Sequence, residues 1–281
     1  DWRSTSSSAE RSVDDLMGAA AESPPRDSRP LSVGFVLMPG FTMVAFSGFV
    51  DALRLAADEG DRSRPLHCRW SVLAEELRPV SASNGIELMP TERFRDPSGF
   101  DYLVVVGGLL PGTRRLSPAL QDFLRLAAAR AVPLVGLCTG SFVLARAGLM
   151  QGRRVCVSWF HHQDFLREFP GLRAESHEMF VVDRDRLTCA GGTSVVHLAA
   201  WLIERHCGRA AASKALRILL EEGALPARTP QPQPSFAERT DDPRVRQAIW
   251  LMEQNLASPM PLQEVARSVR GGAVARRAGG S

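Results

Sequence analysis

The most informative part of this chain is the stretch VPLVGLCTGSFVLARAGLM, residues 132–150. It opens as a short apolar run of the kind found in a buried strand, and after Cys138 the sequence Thr139-Gly140-Ser141 begins a helical pattern. A tight strand-to-helix turn presents the residue at its apex at the carboxyl edge of a parallel sheet, where open α/β folds place their ligands. The stretch therefore predicts a pocket built around Cys138.

Cys138 is the candidate reactive group of this turn. The N-terminus of a helix lowers the pKa of a thiol and supplies backbone N–H donors. Gly107-Gly108 follow the apolar run YLVVV at 102–106, and they are predicted to bring a second set of N–H groups to the same point. The alternative is that the crowded turn simply requires a small residue.

On either side of this stretch, short apolar runs alternate with helical patterns. This alternation is typical of an α/β fold whose mostly parallel sheet carries helices on both faces. The predicted strands are 31–38, 67–73, 102–106 and 132–137, and the predicted helices are 42–58, 117–130, 193–207 and 209–222. Ser83-Asn84-Gly85 separates two short extended stretches and predicts a turn.

Changes in composition along the 281 residues indicate one α/β domain with an additional segment on each side. Residues 1–30 are rich in Ser, Arg and Pro and are predicted to be a disordered leader, and 31–223 form the domain. Residues 224–240 carry four prolines and are predicted to be an extended linker. Residues 241–269 show two short helical patterns, the first capped by Asp241-Asp242-Pro243, and 270–281 are predicted to be an unstructured tail.

Several functional classes are excluded at this level. No apolar run approaches the length of a membrane span, and no signal peptide is recognisable, so we expect a cytoplasmic protein without a membrane partner. The five cysteines form no C-x-x-C pair, which favours reduced thiols, no metal site and no cofactor. Residues 31–223 carry 22 basic and 20 acidic side chains and 241–281 carry six and four, which is not the charge of a strong nucleic-acid binder.

Three motifs give the chain a family resemblance: LVVVGG at 103–108, GLCTGSFVLARAGLMQGRR at 136–154 and LTCAGGTSVVHLAAWLIE at 187–204. Over residues 31–223 the chain resembles the ThiJ/PfpI superfamily, which has the class I glutamine-amidotransferase-like, flavodoxin-like fold. The resemblance implies that enzymes of this type pair the Cys with a carboxylate from the turn after the first strand, and many carry a His after the Cys.

Here the position aligned with the carboxylate is Ala45, and the residue after Cys138 is Thr139. Without an adjacent acid or base the thiol loses a rate factor of about 10² to 10⁴, which favours a catalytically silent domain with Cys138 as a vestigial elbow residue. His161 and His162 follow a predicted strand; they either approach the thiol or lie at the surface.

The C-terminal stretch DPRVRQAIWLMEQNLASPMPLQEVARSV at 242–269 resembles the start of an AraC-type DNA-binding domain, as found in GlxA-type transcriptional regulators. That family implies two recognition helices, a small-molecule effector such as an amino acid or amine-like metabolite, a homodimer, and DNA as the partner of the full-length protein. After Val269 the sequence RGGAVARRAGGS predicts no recognition helix, so we expect a partial helix-turn-helix that does not bind DNA specifically by itself.

The leading interpretation is a regulator whose silent amidase-like domain senses a metabolite. The alternatives are a cysteine-dependent enzyme resembling isocyanide hydratases, which share the Cys-Thr-Gly-Ser elbow, and an oligomerisation module. Trp159 faces a cationic ligand or packs in the core, and Arg114-Arg115 meet a ligand carboxylate or remain solvated. The predicted ligand-binding residues are Gly107, Gly108, Leu109, Cys138, Thr139 and Trp159.

Overall fold

The computed structural model describes residues 29–232, 240, 242–256 and 258–271, and a seven-stranded sheet lies at its centre. The strands in chain order are β1 (Leu31–Leu37), β2 (Cys68–Ala74), β3 (Val80–Ser81), β4 (Glu87–Leu88), β5 (Glu92–Arg93), β6 (Tyr102–Val106), β7 (Leu134–Leu137), β8 (Arg154–Cys156), β9 (Arg173–Glu175), β10 (Phe180–Asp183) and β11 (Arg186–Cys189). The helices are α1 (Met43–Ala57), α2 (Leu110–Thr113), α3 (Pro118–Ala129), α4 (Gly140–Arg146), α5 (His162–Glu168), α6 (Ser194–Cys207), α7 (Arg209–Ile218), α8 (Pro243–Gln254) and α9 (Leu262–Gly271).

The central sheet has the strand order β10-β11-β7-β6-β1-β2-β5. Every neighbouring pair is parallel except β10 and β11, which run antiparallel at one edge. All residues of β1, β6 and β7 are buried, which explains why these strands appear in the sequence as almost wholly apolar runs, with Ser32 of β1 as the polar exception. The mostly parallel α/β fold predicted from the sequence is confirmed.

Helices cover both faces of this sheet. Successive side chains of a strand point to opposite faces, so Val104 and Val106 of β6 pack in one apolar cluster, with α1, α6 and α7. Leu103 and Val105 pack in the other, with α3, α4 and α5. The predicted start of α3 is correct: Ser117 accepts a hydrogen bond from the Leu120 N–H, and proline occupies the first turn.

The predicted elements agree with the structure to within two residues, apart from the last helix of the domain. That helix, α7, ends at Ile218 instead of 222, and Leu220 adopts a left-handed φ of 62° that interrupts the helical path. The turn at Ser83-Asn84-Gly85 is confirmed, because it connects the antiparallel strands β3 and β4. Asn84 Oδ1 accepts the Ile86 N–H there at 3.2 Å.

The proline-rich segment predicted to be a linker is not a free tether along residues 224–232. Its Ala227 carbonyl accepts the Met179 N–H at 2.9 Å, and the buried Gln231 side chain donates to the carbonyls of Val157, at 3.1 Å, and Glu178, at 2.7 Å. The prolines do favour an extended chain, and that extended chain pairs with the domain instead of crossing solvent. Residues 233–239 and 241 lie outside the described residues.

Two helices follow this segment, α8 and α9, and they contact each other. Asp242 caps α8 as predicted by accepting the Arg244 N–H at 2.8 Å, and Val265 of α9 is buried. Because α9 continues to Gly271, the predicted tail begins later than residue 270; residues 272–281 and 1–28 lie outside the described part of the chain. Within that part, no helix combines the length and the apolar composition needed to cross a membrane.

Candidate functional site

Cys138 stands at the apex of the turn between β7 and α4, as the sequence predicts. Its φ is +54°, a left-handed conformation that a non-glycine residue adopts at a cost of about 1–3 kcal/mol. Such strain persists only where the surroundings hold the backbone in place. Here the Ser141 hydroxyl donates to the Cys138 carbonyl at 3.2 Å, which helps to close the turn.

The two glycines after β6 lie against this turn. A Cβ on Gly107 would come within 2.3 Å of the Gly140 nitrogen, and one on Gly108 within 2.0 Å of the Gly40 carbonyl oxygen. The Thr139 hydroxyl donates to the Gly108 carbonyl at 2.9 Å. The glycines therefore allow three backbone turns to meet at the carboxyl edge of the sheet.

The Gly107 N–H is not available to a ligand, contrary to the expectation for this residue, while the expectation for Gly108 stays a prediction. It donates to the Leu137 carbonyl at 3.1 Å, within the pairing of β6 with β7. Leu109 likewise donates its N–H to the Gly40 carbonyl, while its side chain is exposed. The role of these residues in the structure is to bring the turns together.

The side chain that meets the thiol from the turn after β1 is Thr42. Its Oγ1 lies 3.6 Å from Cys138 Sγ, and its N–H donates to the Gly107 carbonyl at 3.0 Å. Sequence reasoning missed Thr42 because it sought a carboxylate at Ala45, whose methyl group is fully buried in the core beside the sheet. The available signal was the position of Thr42 immediately before α1, at its N-cap.

Gly191, which follows β11, is a second residue that the sequence did not single out. Its φ is +99°, and a Cβ there would lie 2.9 Å from Cys138 Cβ and 3.2 Å from Cys138 Sγ. The backbone of this loop thus forms a wall against the thiol. The ends of β1, β6, β7 and β11 together surround Cys138.

The environment of Cys138 does not activate it. Burial raises the pKa of the thiol, and the hydrogen bonds from Thr42 and from the Thr139 backbone offset only part of that effect. The loss of solvation outweighs the stabilisation of the thiolate by these hydrogen bonds, so the pKa shifts upward, opposite to the direction expected at a helix N-terminus. At neutral pH Cys138 is a neutral thiol.

The histidines considered for the thiol have other contacts. His161 Nδ1 lies 3.3 Å from Asp164 Oδ2, and its ring packs edge-on against Phe142. Burial lowers the pKa of His162, so its ring is uncharged at neutral pH. Arg114 and Arg115 are both exposed, in agreement with the solvated alternative.

Trp159 lies elsewhere, in the short turn Trp159–His161 before α5. The backbone N–H of Trp159 donates to Gln231 Oε1 at 2.9 Å. Its side chain lines a cavity of about 440 Å³ that is also bordered by α8. Neither Cys138 nor Thr139 borders that cavity. The structure thus separates Trp159 from the predicted ligand residues at the turn of Cys138, and the role of all of them in binding stays a prediction.

The fold and the elbow agree with the comparisons with known proteins. Residues 32–205 match the model of the DJ-1/PfpI family, and the chain belongs to that family. Over 245 residues it is 31% identical to the HTH-type transcriptional regulator GbdR of Pseudomonas aeruginosa, covering 86% of this chain and 65% of the regulator. This chain thus spans slightly less than two-thirds of that relative's length.

Two further relatives are a transcriptional regulator and an enzyme. The crystal structure of an AraC family transcriptional regulator from Pseudomonas putida superimposes with a TM-score of 0.58 at 28% identity, covering 68% of this chain and 100% of that chain. The isonitrile hydratase of Pseudomonas putida is 32% identical over 178 residues, 63% of this chain and 73% of the enzyme. The predicted resemblance to regulators that carry this domain is confirmed.

Proposed function

We propose that this chain is the ligand-sensing part of a transcriptional regulator whose DJ-1/PfpI domain binds a small metabolite without converting it. The observation that carries the proposal is the contact of Cys138 with the hydroxyl of Thr42, at 3.6 Å, where an enzyme needs an acid or base. The aligned carboxylate position is Ala45, a buried methyl group. The similarity to GbdR supports the same conclusion.

Chemically, the elbow pocket suits recognition better than proton transfer. A neutral thiol is a weak nucleophile, and a threonine hydroxyl is not a general base at physiological pH. The same two groups can donate and accept hydrogen bonds, as recognition of a small polar ligand requires. An amino acid or a small amine-like metabolite is the class of effector that we assign to this pocket.

The helices α8 and α9 supply the start of the DNA-binding unit in this proposal, and DNA is the partner of the complete regulator. We also assign a homodimer, since regulators that read two half-sites bind DNA as two-fold pairs. Light scattering coupled to gel filtration tests the dimer directly, because a monomeric mass would contradict it.

The sensing role is tested by binding and turnover measurements on the same samples. The probes are the twenty amino acids and a set of small primary and quaternary amines, each followed by thermal melting, calorimetry and mass analysis of the compound. We expect at least one probe to raise the melting temperature and to be recovered unchanged. Cys138→Leu, which fills the elbow, should abolish binding, whereas Cys207→Ser, a remote thiol, should not.

The second candidate is an enzyme, favoured by the 32% identity to isonitrile hydratase over 178 residues. In that case cyclohexyl isocyanide would be hydrated to its formamide, and the activity would disappear in Cys138→Ala. Such turnover by the unmodified chain would overturn the sensing proposal. Activity that appears only in Ala45→Asp would instead identify the missing acid.

A further inference from the structure

A cavity remote from the turn at Cys138 lies between the α/β domain and α8, and we call it the joint cavity. It has a volume of about 440 Å³. One side consists of the turn Trp159–His161, α5 and the stretch 176–177, and the other side is α8. Pockets that hold small molecules in proteins have volumes of about 300–1,000 Å³, so the joint cavity is large enough for a ligand with a single ring.

Three aromatic side chains form an apolar wall in the joint cavity. The rings of Phe160 and Trp250 lie 5.4 Å apart at 59°, and those of Trp159 and Phe160 lie 5.8 Å apart, edge to face. All three side chains are partly buried. Trp159 and Phe160 belong to the domain and Trp250 belongs to α8, so a planar group placed here would contact both sides of the joint.

Arginines lie at the rim of the joint cavity. Arg167 on α5 and Arg246 on α8 both line it, and both are exposed. Asp164 also lines it, and this carboxylate is already paired with Arg167 and His161. A guanidinium has five N–H donors, so each arginine can bind a ligand oxygen in addition to its present contacts.

We propose that the joint cavity binds a small aromatic carboxylate, with its ring against Trp159, Phe160 and Trp250 and its carboxylate between Arg167 and Arg246. A ligand that contacts both the domain and α8 binds the docked arrangement more tightly than an undocked one. Binding therefore stabilises the attachment of α8 to the domain. This inference goes beyond the proposed function, which places the effector at the elbow, and it does not depend on that assignment.

The test uses phenylacetate as the probe, with phenylacetamide and phenethylamine as neutral and cationic probes of nearly equal shape. Calorimetry on the full chain should detect phenylacetate, and the two other probes should bind about tenfold more weakly or not at all. Hydrogen exchange of the amides in 243–254 should slow when phenylacetate is bound. Equal or tighter binding of the amide or the amine would overturn the carboxylate assignment.

Variants locate the binding. Arg246→Gln and Arg167→Gln should each weaken phenylacetate about tenfold, and Trp250→Leu should weaken all three probes. Arg217→Gln is the matched control, because Arg217 is an exposed arginine on α7, which packs on the opposite face of the sheet from α5.

Two results would overturn the proposal: no binding at millimolar phenylacetate, or binding that neither arginine variant weakens. Cys138→Leu separates the two sites. If this variant abolishes phenylacetate binding while the arginine variants retain it, phenylacetate binds at the turn of Cys138 and not in the joint cavity. Failure at the joint cavity leaves the turnover test of the elbow unaffected.

Discussion

Thr42 Oγ1 and Cys138 Sγ lie 3.6 Å apart, and this contact joins the turn after β1 to the turn after β7. The two residues are 96 positions apart in the chain and meet only because β6 alone separates their strands in the sheet. In this arrangement a hydroxyl is the neighbour of the thiol. The reactivity of Cys138 is therefore set by burial and by two neutral hydrogen bonds, from the Thr42 hydroxyl and from the Thr139 backbone.

Alkylation of Cys138 by iodoacetamide should be slow at neutral pH and should accelerate as the pH is raised beyond 9. The reason is that burial raises the pKa of this thiol above its ordinary value of 9.0. Thr42→Val should slow the reaction about fivefold further, since it removes a hydrogen bond that favours the thiolate, while Thr42→Ser should retain the wild-type rate. Peptide mapping over time measures the rate at Cys138 alone, and rapid labelling at pH 7 would contradict the assignment.

Gly108→Ala should destabilise the fold by about 1–3 kcal/mol or more, because the new methyl group would meet the Gly40 carbonyl oxygen at 2.0 Å. That oxygen belongs to the backbone and already accepts the Leu109 N–H, so moving it aside would break this hydrogen bond. The matched control is Gly171→Ala, where no atom lies within 4 Å of the added carbon. Urea denaturation of both variants measures the difference, and equal midpoints would argue against the close approach at the elbow.

The free energy of unfolding should decrease as the pH falls below about 6.5, partly because of His197. This residue is 3% exposed, its Nδ1 accepts the Leu225 N–H at 3.3 Å, and burial lowers its pKa. The unfolded chain, with a pKa near 6.5, then binds the proton more tightly than the folded chain. This part of the stability is complete above 6.5 and is lost as the pH falls towards the lower, folded-state pKa.

The variant His197→Asn tests this assignment, because the amide oxygen can still accept the Leu225 N–H but does not titrate. Denaturation between about pH 5 and 7 should show a smaller pH dependence in the variant. The pH dependence that remains in the variant is expected to come from His162, because burial lowers the pKa of that residue too. An unchanged slope in His197→Asn would exclude His197 as a source.

Gln231→Ala should release the segment 224–232 from the domain. The side chain accepts the Trp159 N–H at 2.9 Å and donates to two backbone carbonyls, and losing it leaves buried groups without partners at a cost of about 1–3 kcal/mol. Trypsin should then cut after the exposed Arg228 about tenfold faster than in the wild type. Gln121→Ala on α3 is the control. Unchanged cleavage at Arg228 would mean that the segment is not held by Gln231.

Cys68 and Cys207 should form a disulfide when the protein is treated with diamide. Their sulfurs lie 3.6 Å apart and need to approach to about 2.05 Å. A hydrogen bond from Cys68 lowers the pKa of Cys207, so the Cys207 thiolate adds to the N=N bond and the Cys68 sulfur displaces the hydrazide. The two thiols lose two electrons and two protons, which reduce diamide to its hydrazine.

Peptide mapping without reductant identifies the pair, and the cross-linked protein should be about 2–4 kcal/mol more stable. Cys68→Ser should prevent the cross-link, whereas Cys138→Ser should not. A cross-link between any other two cysteines would contradict the geometry.

Much of the fold follows from local patterns. The buried strands β1, β6 and β7 are almost wholly apolar runs, and Ser117 and Pro118 mark the start of α3. The elbow at Cys138 is equally local, because a strand, a small turn and a helix succeed one another within 132–150. These features can be predicted from short stretches of sequence, because hydrophobic periodicity and helix capping depend only on residues close together in the chain.

What surrounds Cys138 depended on the tertiary structure. Thr42 and Gly191 lie in the turns after β1 and β11, far from Cys138 in sequence, and Trp159 lines the joint cavity instead of the turn at Cys138. The rise in the pKa of Cys138 has the same origin, because the loss of solvation arises from packing by several elements. The α/β order, the turn at Cys138 and the family can be inferred from the amino-acid sequence alone. Which side chains meet at that turn depends on the order of the strands in space, because contacts and burial arise between elements that are distant in the chain.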